Sequence, residues 1–334
     1  MTTIRERIEE VERTILSQDA TLAADSKGRE EAEPPHPYRT AFQRDRDRIL
    51  HSKAFRRLGH KTQVFLAPEH DHYRVRLTHT LEVTQVARSI ARALRLNEDL
   101  VEAICLGHDL GHTPFGHLGE EVISDFLSRP FKHNEQSLRI VEQLEKRGDK
   151  RGLNLTWEVR DGILNHTWSM ALPATLEGQV ARYADRIAYI NHDIDDALRA
   201  GVLHEQDLPV ETIDILGTSS SQRIDTMVTS LLDASAGSVQ IGMGAEVFDV
   251  LIETREFLFE RVYNRQEVRE EQDRVRKLLT ALLDHYRRNP AELPRDIREV
   301  EGESDEETLM VDYIAGMTDR FAIREHLRLT KAER

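Results

Sequence analysis

His108-Asp109-Leu110-Gly111-His112-Thr113-Pro114-Phe115-Gly116-His117-Leu118-Gly119-Glu120 is the stretch that decides both the fold and the chemistry of this chain. Ionisable side chains crowd a Gly/Pro-rich bend that follows an apolar segment, a density that packing alone does not explain. Upstream, Leu100, Val101, Ile104 and Cys105 repeat at helical spacing, and Asn97 stands where an N-cap belongs. The spacing predicts a helix that delivers His108 and Asp109 at its C-terminal end. Pro114 is expected to open the next helix near Phe115, and the step from His117 to Glu120 puts both side chains on one face. A carboxylate so placed orients and tunes a proton-transferring imidazole.

Working outward, His79 precedes this run and Asp185 follows it. The order His79, His108-Asp109, Asp185 reads as four metal ligands brought together from separate helices. A divalent ion needs deprotonated nitrogen and oxygen donors, and such a mixture leaves positions open for water and substrate. The carboxylates favour Mg²⁺ or Mn²⁺, while the imidazoles extend the choice to Co, Ni, Fe or Zn. A His-Asp dipeptide by itself would be weak evidence, because histidines often serve as hydrogen-bonded core residues.

Helical patterns dominate elsewhere. Residues 41 to about 58 read as a charged helix, followed by one through His79 to Leu94, one over 134–144, one over 157–166 and one over 176–200. Residues 146–154 read as a polar loop. Residues 1–37 form a charged helical segment and a breaker-rich stretch ending in Pro34-Pro35-His36-Pro37, an N-terminal appendage to a catalytic core over 38–200. In 201–334 the helical period continues, with apolar positions at Met227, Leu231 and Leu232 and an amphipathic stripe over 247–262. Gly237, Gly242 and Gly244 lack the strand-turn-helix setting of a phosphate loop and read as a connector. The expected fold class is all-α.

Composition bounds the function. At 334 residues the chain can bury a large core, and its single cysteine excludes an intrachain disulfide. No apolar stretch is long enough for a bilayer and no signal-peptide pattern opens the chain, so a cytoplasmic location and no membrane partner are expected. A formal net charge of −14 argues against nonspecific nucleic-acid binding over the whole surface, leaving only a local groove open. Within the basic interval from Arg39 to Lys61, Arg56, Arg57 and Lys61 are the better phosphate candidates, since they approach the first ligand helix.

The motifs form an ordered set: Arg44-Asp45-Arg46-Asp47-Arg48-Ile49, Phe55-Arg56-Arg57-Leu58, Lys61-Thr62-Gln63-Val64-Phe65, Arg76-Leu77-Thr78-His79 and the His108 to Glu120 run. Downstream follow Asn134-Glu135-Gln136-Ser137-Leu138-Arg139, Tyr183-Ala184-Asp185-Arg186-Ile187-Ala188-Tyr189 and Asp312-Tyr313-Ile314-Ala315-Gly316-Met317-Thr318-Asp319-Arg320. From residue 38 to about 327 the chain resembles the HD-domain superfamily and, within it, the deoxyguanosine triphosphate triphosphohydrolase family of dNTP triphosphohydrolases. The resemblance implies an HD-domain helical core with additional C-terminal helices. It implies hydrolysis of a deoxynucleoside 5′-triphosphate to deoxynucleoside and inorganic triphosphate, with His79, His108, Asp109 and Asp185 on the metal. His117, Glu120 and His112 would then be the catalytic or supporting groups. Arg76, Arg186 and Lys61 would face phosphate, Tyr189 would pack on the deoxyribose, and Asp193 and Gln63 would bond its 3′-hydroxyl. His133 is a further pocket candidate. A homo-oligomer, such as a hexamer, and a second dNTP as effector are implied partners. Two other readings compete: an HD-domain nucleotide monophosphatase or phosphodiesterase, and a nucleotide-sensing or nucleic-acid-binding regulator without turnover.

Overall fold

The computed structural model describes residues 2–62, 74–263, 266–300 and 305–332. The fold is all-α, with one two-stranded hairpin among the described residues. The first helices are α1 (Ile4–Ile15), α2 (Ala41–Leu50), α3 (Lys53–Arg57), α4 (Arg76–Ala93) and α5 (Glu98–Gly107). After them come α6 (His117–Leu127), α7 (His133–Arg139), α8 (Trp157–Asn165), α9 (Leu176–Arg199) and α10 (Ser220–Ser235). The C-terminal part contributes α11 (Ala245–Leu258), α12 (Gln266–Arg288), α13 (Arg295–Arg298), α14 (Glu306–Ala315) and α15 (Asp319–Ala332). None of the described helices is long and apolar enough to cross a membrane.

Two compact units interleave along the sequence. The first comprises Met1–Asp47, His79–Leu106 and Leu155–Arg265, and the second Arg48–Thr78, Gly107–Asn154 and Gln266–Arg334. In the first, Asn97 caps α5 by accepting from the Leu100 N–H at 3.3 Å, and Leu100, Val101, Ile104 and Cys105 are fully buried. Helix α9 starts where Thr175 accepts from the Gly178 N–H, and it packs against α8 and α10. Residues near the N-terminus are tied into this unit by buried acids. Glu177 accepts from the Thr21 and Asn97 N–H groups, Glu158 from Lys27 N–H and the Ser26 hydroxyl, and Asp45 from Arg29 and Thr156.

The second unit has its own core. Val275, Leu279, Leu282, Leu283 and Tyr286 of α12 meet Val122 and Ile123 of α6, Met310, Val311 and Ile314 of α14, and Ala322 and Leu329 of α15. Each fully buried aliphatic side chain here contributes roughly 1.5–3 kcal/mol. This packing, rather than hydrogen bonds on the exposed side, is what holds α6 and therefore His117 and Glu120.

Three boundaries differ from the sequence reading. The helix expected over 41–58 breaks at His51–Ser52, because Ser52 accepts from Phe55 N–H and caps a new start. Pro114 does not open α6: Phe115 and Gly116 both adopt left-handed backbone (φ 62° and 61°), so the helix begins at His117. Residues 146–154 contain a tight hairpin, β1 (Lys146–Arg147) and β2 (Lys150–Arg151), turned by Gly148 at φ 64°.

Candidate active site

Asp109 is the hub of the second unit's chemistry. Helix α5 ends at Gly107, and Ser137 on α7 takes up the backbone beyond it, accepting from Gly111 N–H at 2.8 Å and donating to the His108 carbonyl at 2.7 Å. Asp109 Oδ1 faces Nε2 of His108 at 3.4 Å and Nε2 of His112 at 3.2 Å, while Oδ2 accepts from Arg76 Nη1 at 3.0 Å. Burial by itself would favour the neutral acid. His108, His112 and Arg76 overcome it and hold the carboxyl well below its usual range. Arg76 is itself buried, and its Nε and Nη2 have no hydrogen-bond partner among the described residues. A buried guanidinium with spare donors is a receptor for an oxyanion.

The expected catalytic residues lie together a few residues on. Burial, with Arg76 and His133 adding positive charge, keeps the His112 imidazole well below its ordinary pKa and hence neutral. Its ring stacks on that of His133, centroids 3.8 Å apart. Glu120 accepts from the His133 backbone N–H at 3.1 Å, meets that ring's Nδ1 at 3.1 Å and lies 3.5 Å from Nδ1 of His117. Burial pushes the Glu120 carboxyl up, but hydrogen bonds from His117 and His133 bring it far below the usual carboxylate range. His112, His117, Glu120 and His133 thus form one cluster, with donor atoms within 4.8 Å of one another. Within it His117 is the open member, its side chain 68% exposed.

In the first unit, His79 of α4 is buried, and its Nε2 lies 3.2 Å from Oδ1 of Asp185 on α9. Its Nδ1 meets Nδ1 of His192 at 3.2 Å, and His192 Nε2 faces Glu82 at 2.7 Å. Sequence reasoning gave His192 no role. The signal available was its position seven residues after Asp185, which repeats the helix face. Arg186, next to Asp185, stacks 4.9 Å over the indole of Trp168, and Arg182 approaches the same ring at 5.0 Å. Tyr189 is half-buried and Asp193 fully buried further along α9.

Lys61 and Gln63 are the remaining expected phosphate and sugar contacts. Lys61 is buried in the second unit, where its ammonium donates to the carbonyls of His112 and Ala315. Gln63 lies outside the described residues.

The donors present fit a divalent ion. In the second unit Asp109 is ionised; in the first, Asp185 offers an oxygen beside His79 Nε2, and His192, itself facing Glu82, meets His79 Nδ1, as outer partners of a ligating imidazole do. Residues 76–190 match the HD domain family, and residues 241–328 match the phosphohydrolase-associated domain. Fold, domain and ligand chemistry together define the class as a metal-dependent phosphohydrolase. Across 97% of its length the chain is 52% identical to the deoxyguanosinetriphosphate triphosphohydrolase-like protein of Caldanaerobacter subterraneus subsp. tengcongensis, covering 94% of that protein. Proteins so described from Clostridium perfringens (strain SM101 / Type A) and Desulfatibacillum aliphaticivorans are 48% and 47% identical, the matches spanning 96% and 98% of both chains. The chain belongs to the deoxyguanosinetriphosphate triphosphohydrolase-like family.

Proposed function

We propose that this hydrolase cleaves deoxynucleoside 5′-triphosphates, dGTP or several dNTPs, into deoxynucleoside and inorganic triphosphate. His79, His108, Asp109 and Asp185 are the proposed ligands of its divalent ion, Mg²⁺ or Mn²⁺ first among the candidates. Such an ion, when bound, polarises a phosphoryl oxygen and lowers the pKa of water. Arg76 carries the reading: its contact to Asp109 orients the guanidinium, and two buried nitrogens, without a hydrogen-bond partner among the described residues, suit a phosphate. Arg186 serves as a second phosphate contact, with Tyr189 against the deoxyribose and Asp193 near its 3′-hydroxyl.

In the proposed step, water attacks the α-phosphorus and the bond to the 5′-oxygen breaks. His117, exposed and backed by the ionised Glu120, gives a proton to that leaving oxygen and is reprotonated from solvent, to which the attacking water's proton is released. His112, held neutral, and His133, bonded to Glu120, keep the pair in place. The test is turnover on each dNTP singly and on their mixture with Mg²⁺ or Mn²⁺, separating nucleoside, monophosphate, pyrophosphate and triphosphate. Deoxynucleoside with intact triphosphate supports the reading. Monophosphate with pyrophosphate replaces it with cleavage at a different bond.

A further inference from the structure

A carboxylate just over two hundred residues downstream bonds to the first of the two left-handed residues that precede His117. Phe115 has a side chain, so φ 62° is unfavourable unless its surroundings impose it. Asp319, first residue of α15, supplies the constraint: Oδ1 accepts from Phe115 N–H at 3.0 Å, while Oδ2 accepts from Thr62 N–H at 2.8 Å and from the Thr62 hydroxyl. Next to Thr62, Lys61 donates to the carbonyls of His112 and Ala315. Both flanks of the 112–116 turn are thereby tied to one short strip, residues 61–62, and to the 315–319 turn before α15. Inside the turn, Thr113 Oγ1 donates to the Gly116 carbonyl at 2.7 Å, and Gly119 is packed so tightly that an added Cβ would fall 2.2 Å from the Pro114 oxygen. Asp319 is buried and its hydrogen bonds go to Thr62 and to the Phe115 main chain, so it acts through the turn it holds.

We propose that Asp319 is a positioning residue that locks the Phe115–Gly116 turn and so sets the direction in which His117 is presented. This gives the C-terminal segment, within the region matching the phosphohydrolase-associated domain, a part in the chemistry besides packing. The kinetic consequence rests on the proposed role of His117. The clamp itself does not.

The experiment compares full-length wild type with Asp319→Ala, Asp319→Asn and His117→Ala. Hydrogen–deuterium exchange of the 111–120 peptides, melting temperature, bound Mn²⁺, and kcat and KM on the preferred dNTP are read for each. Asn keeps one oxygen for Phe115 N–H. Asp319→Ala is expected to speed exchange in 111–120 by about tenfold and to lower kcat on the order of 100-fold, with KM changed by less than about threefold and Mn²⁺ content retained. Asp319→Asn is expected to recover most of both losses. Unchanged exchange in Asp319→Ala overturns the clamp, as does a uniform rise in exchange across the chain with equal impairment of the Asn and Ala variants. Local loosening in Asp319→Ala beside a fully active His117→Ala upholds the clamp and rejects the proton role of His117 instead.

Discussion

Replacing Gly111 by alanine should damage this protein more than any other single methyl group added near the site. Gly111 lies between Asp109 and His112, where the chain passes against the first turns of α7. An alanine Cβ would sit 2.2 Å from Ser137 N, 2.3 Å from the His133 carbonyl oxygen and 2.6 Å from Gln136 C, all backbone atoms. Flexible side chains could turn aside, but a helix backbone has to translate by about an ångström. Overpacking of this kind costs 1–3 kcal/mol where side chains absorb it, so about 3 kcal/mol or more is expected here. At about 2 °C per kcal/mol for a chain of this size, the melting temperature should fall by about 6 °C. The displacement also opens the Ser137 bridge between Gly111 N–H and the His108 carbonyl, and it disturbs the stack of His112 on His133. Thermal unfolding and Mn²⁺ titration calorimetry of Gly111→Ala, with Gly148→Ala as an exposed-turn control, measure both effects. A melting temperature within 2 °C of wild type, with unaltered metal affinity, would refute the claim that α7 backbone sets the position of His108 and Asp109.

Arg76→Ala should lower kcat/KM by about 100- to 1000-fold, and Arg76→Lys should not restore it, because one ammonium cannot hold Asp109 and a phosphate at once; steady-state kinetics showing Lys within tenfold of wild type would count against the phosphate role. Trp168→Leu should raise KM for the dNTP by about fivefold, from the loss of roughly 1 kcal/mol of stacking on Arg186, while Trp168→Phe stays near wild type. Equal KM values in all three proteins would detach Trp168 from substrate binding. Glu12 is expected to make stability fall with pH. Burial raises its carboxyl from 4.5 to about 7, against the hydrogen bond from Ala23 N–H, so the protonated form belongs to the folded state. Its contribution is complete below pH 4.5 and lost as pH rises through about 7. Glu12→Gln should therefore match wild type at pH 4 and exceed it by about 1–2 kcal/mol at pH 8, as read by denaturant unfolding. A constant difference between the two across that range would contradict the shift.

Much of the site was legible because helical periodicity and residue chemistry agree. Asn97 caps the helix that leads to His108 and Asp109, and the step from His117 to Glu120 places them 3.5 Å apart as the helix geometry requires. What was not legible depended on contacts made far along the chain. Pro114 is a good helix opener locally, but Asp319 bonds to Phe115 N–H and the turn goes left-handed, delaying α6 to His117. Lys61 looked like a phosphate ligand by charge and position, and the partners of its ammonium are two main-chain carbonyls that no spacing rule reveals. His192 receives no role from sequence because histidines are common near such sites; only the face it shares with Asp185 sets it apart.

The protonation states on the loop are divided by environment rather than by residue type. Asp109 and Glu120 are both carboxylates in buried surroundings, and both stay ionised, the first through His108, His112 and Arg76, the second through His117 and His133. His112 is buried beside Arg76 and is kept neutral, which leaves its Nδ1, without a hydrogen-bond partner among the described residues, as an acceptor. His117 stands apart by its exposure, since its ring is mostly open to solvent and one edge faces Glu120. The loop sets fixed charges beside one open imidazole: Asp109 and Arg76 balance each other, Glu120 stays ionised against His117 and His133, and His117 is the ring that reaches solvent, which is why the proposed proton transfer falls to it.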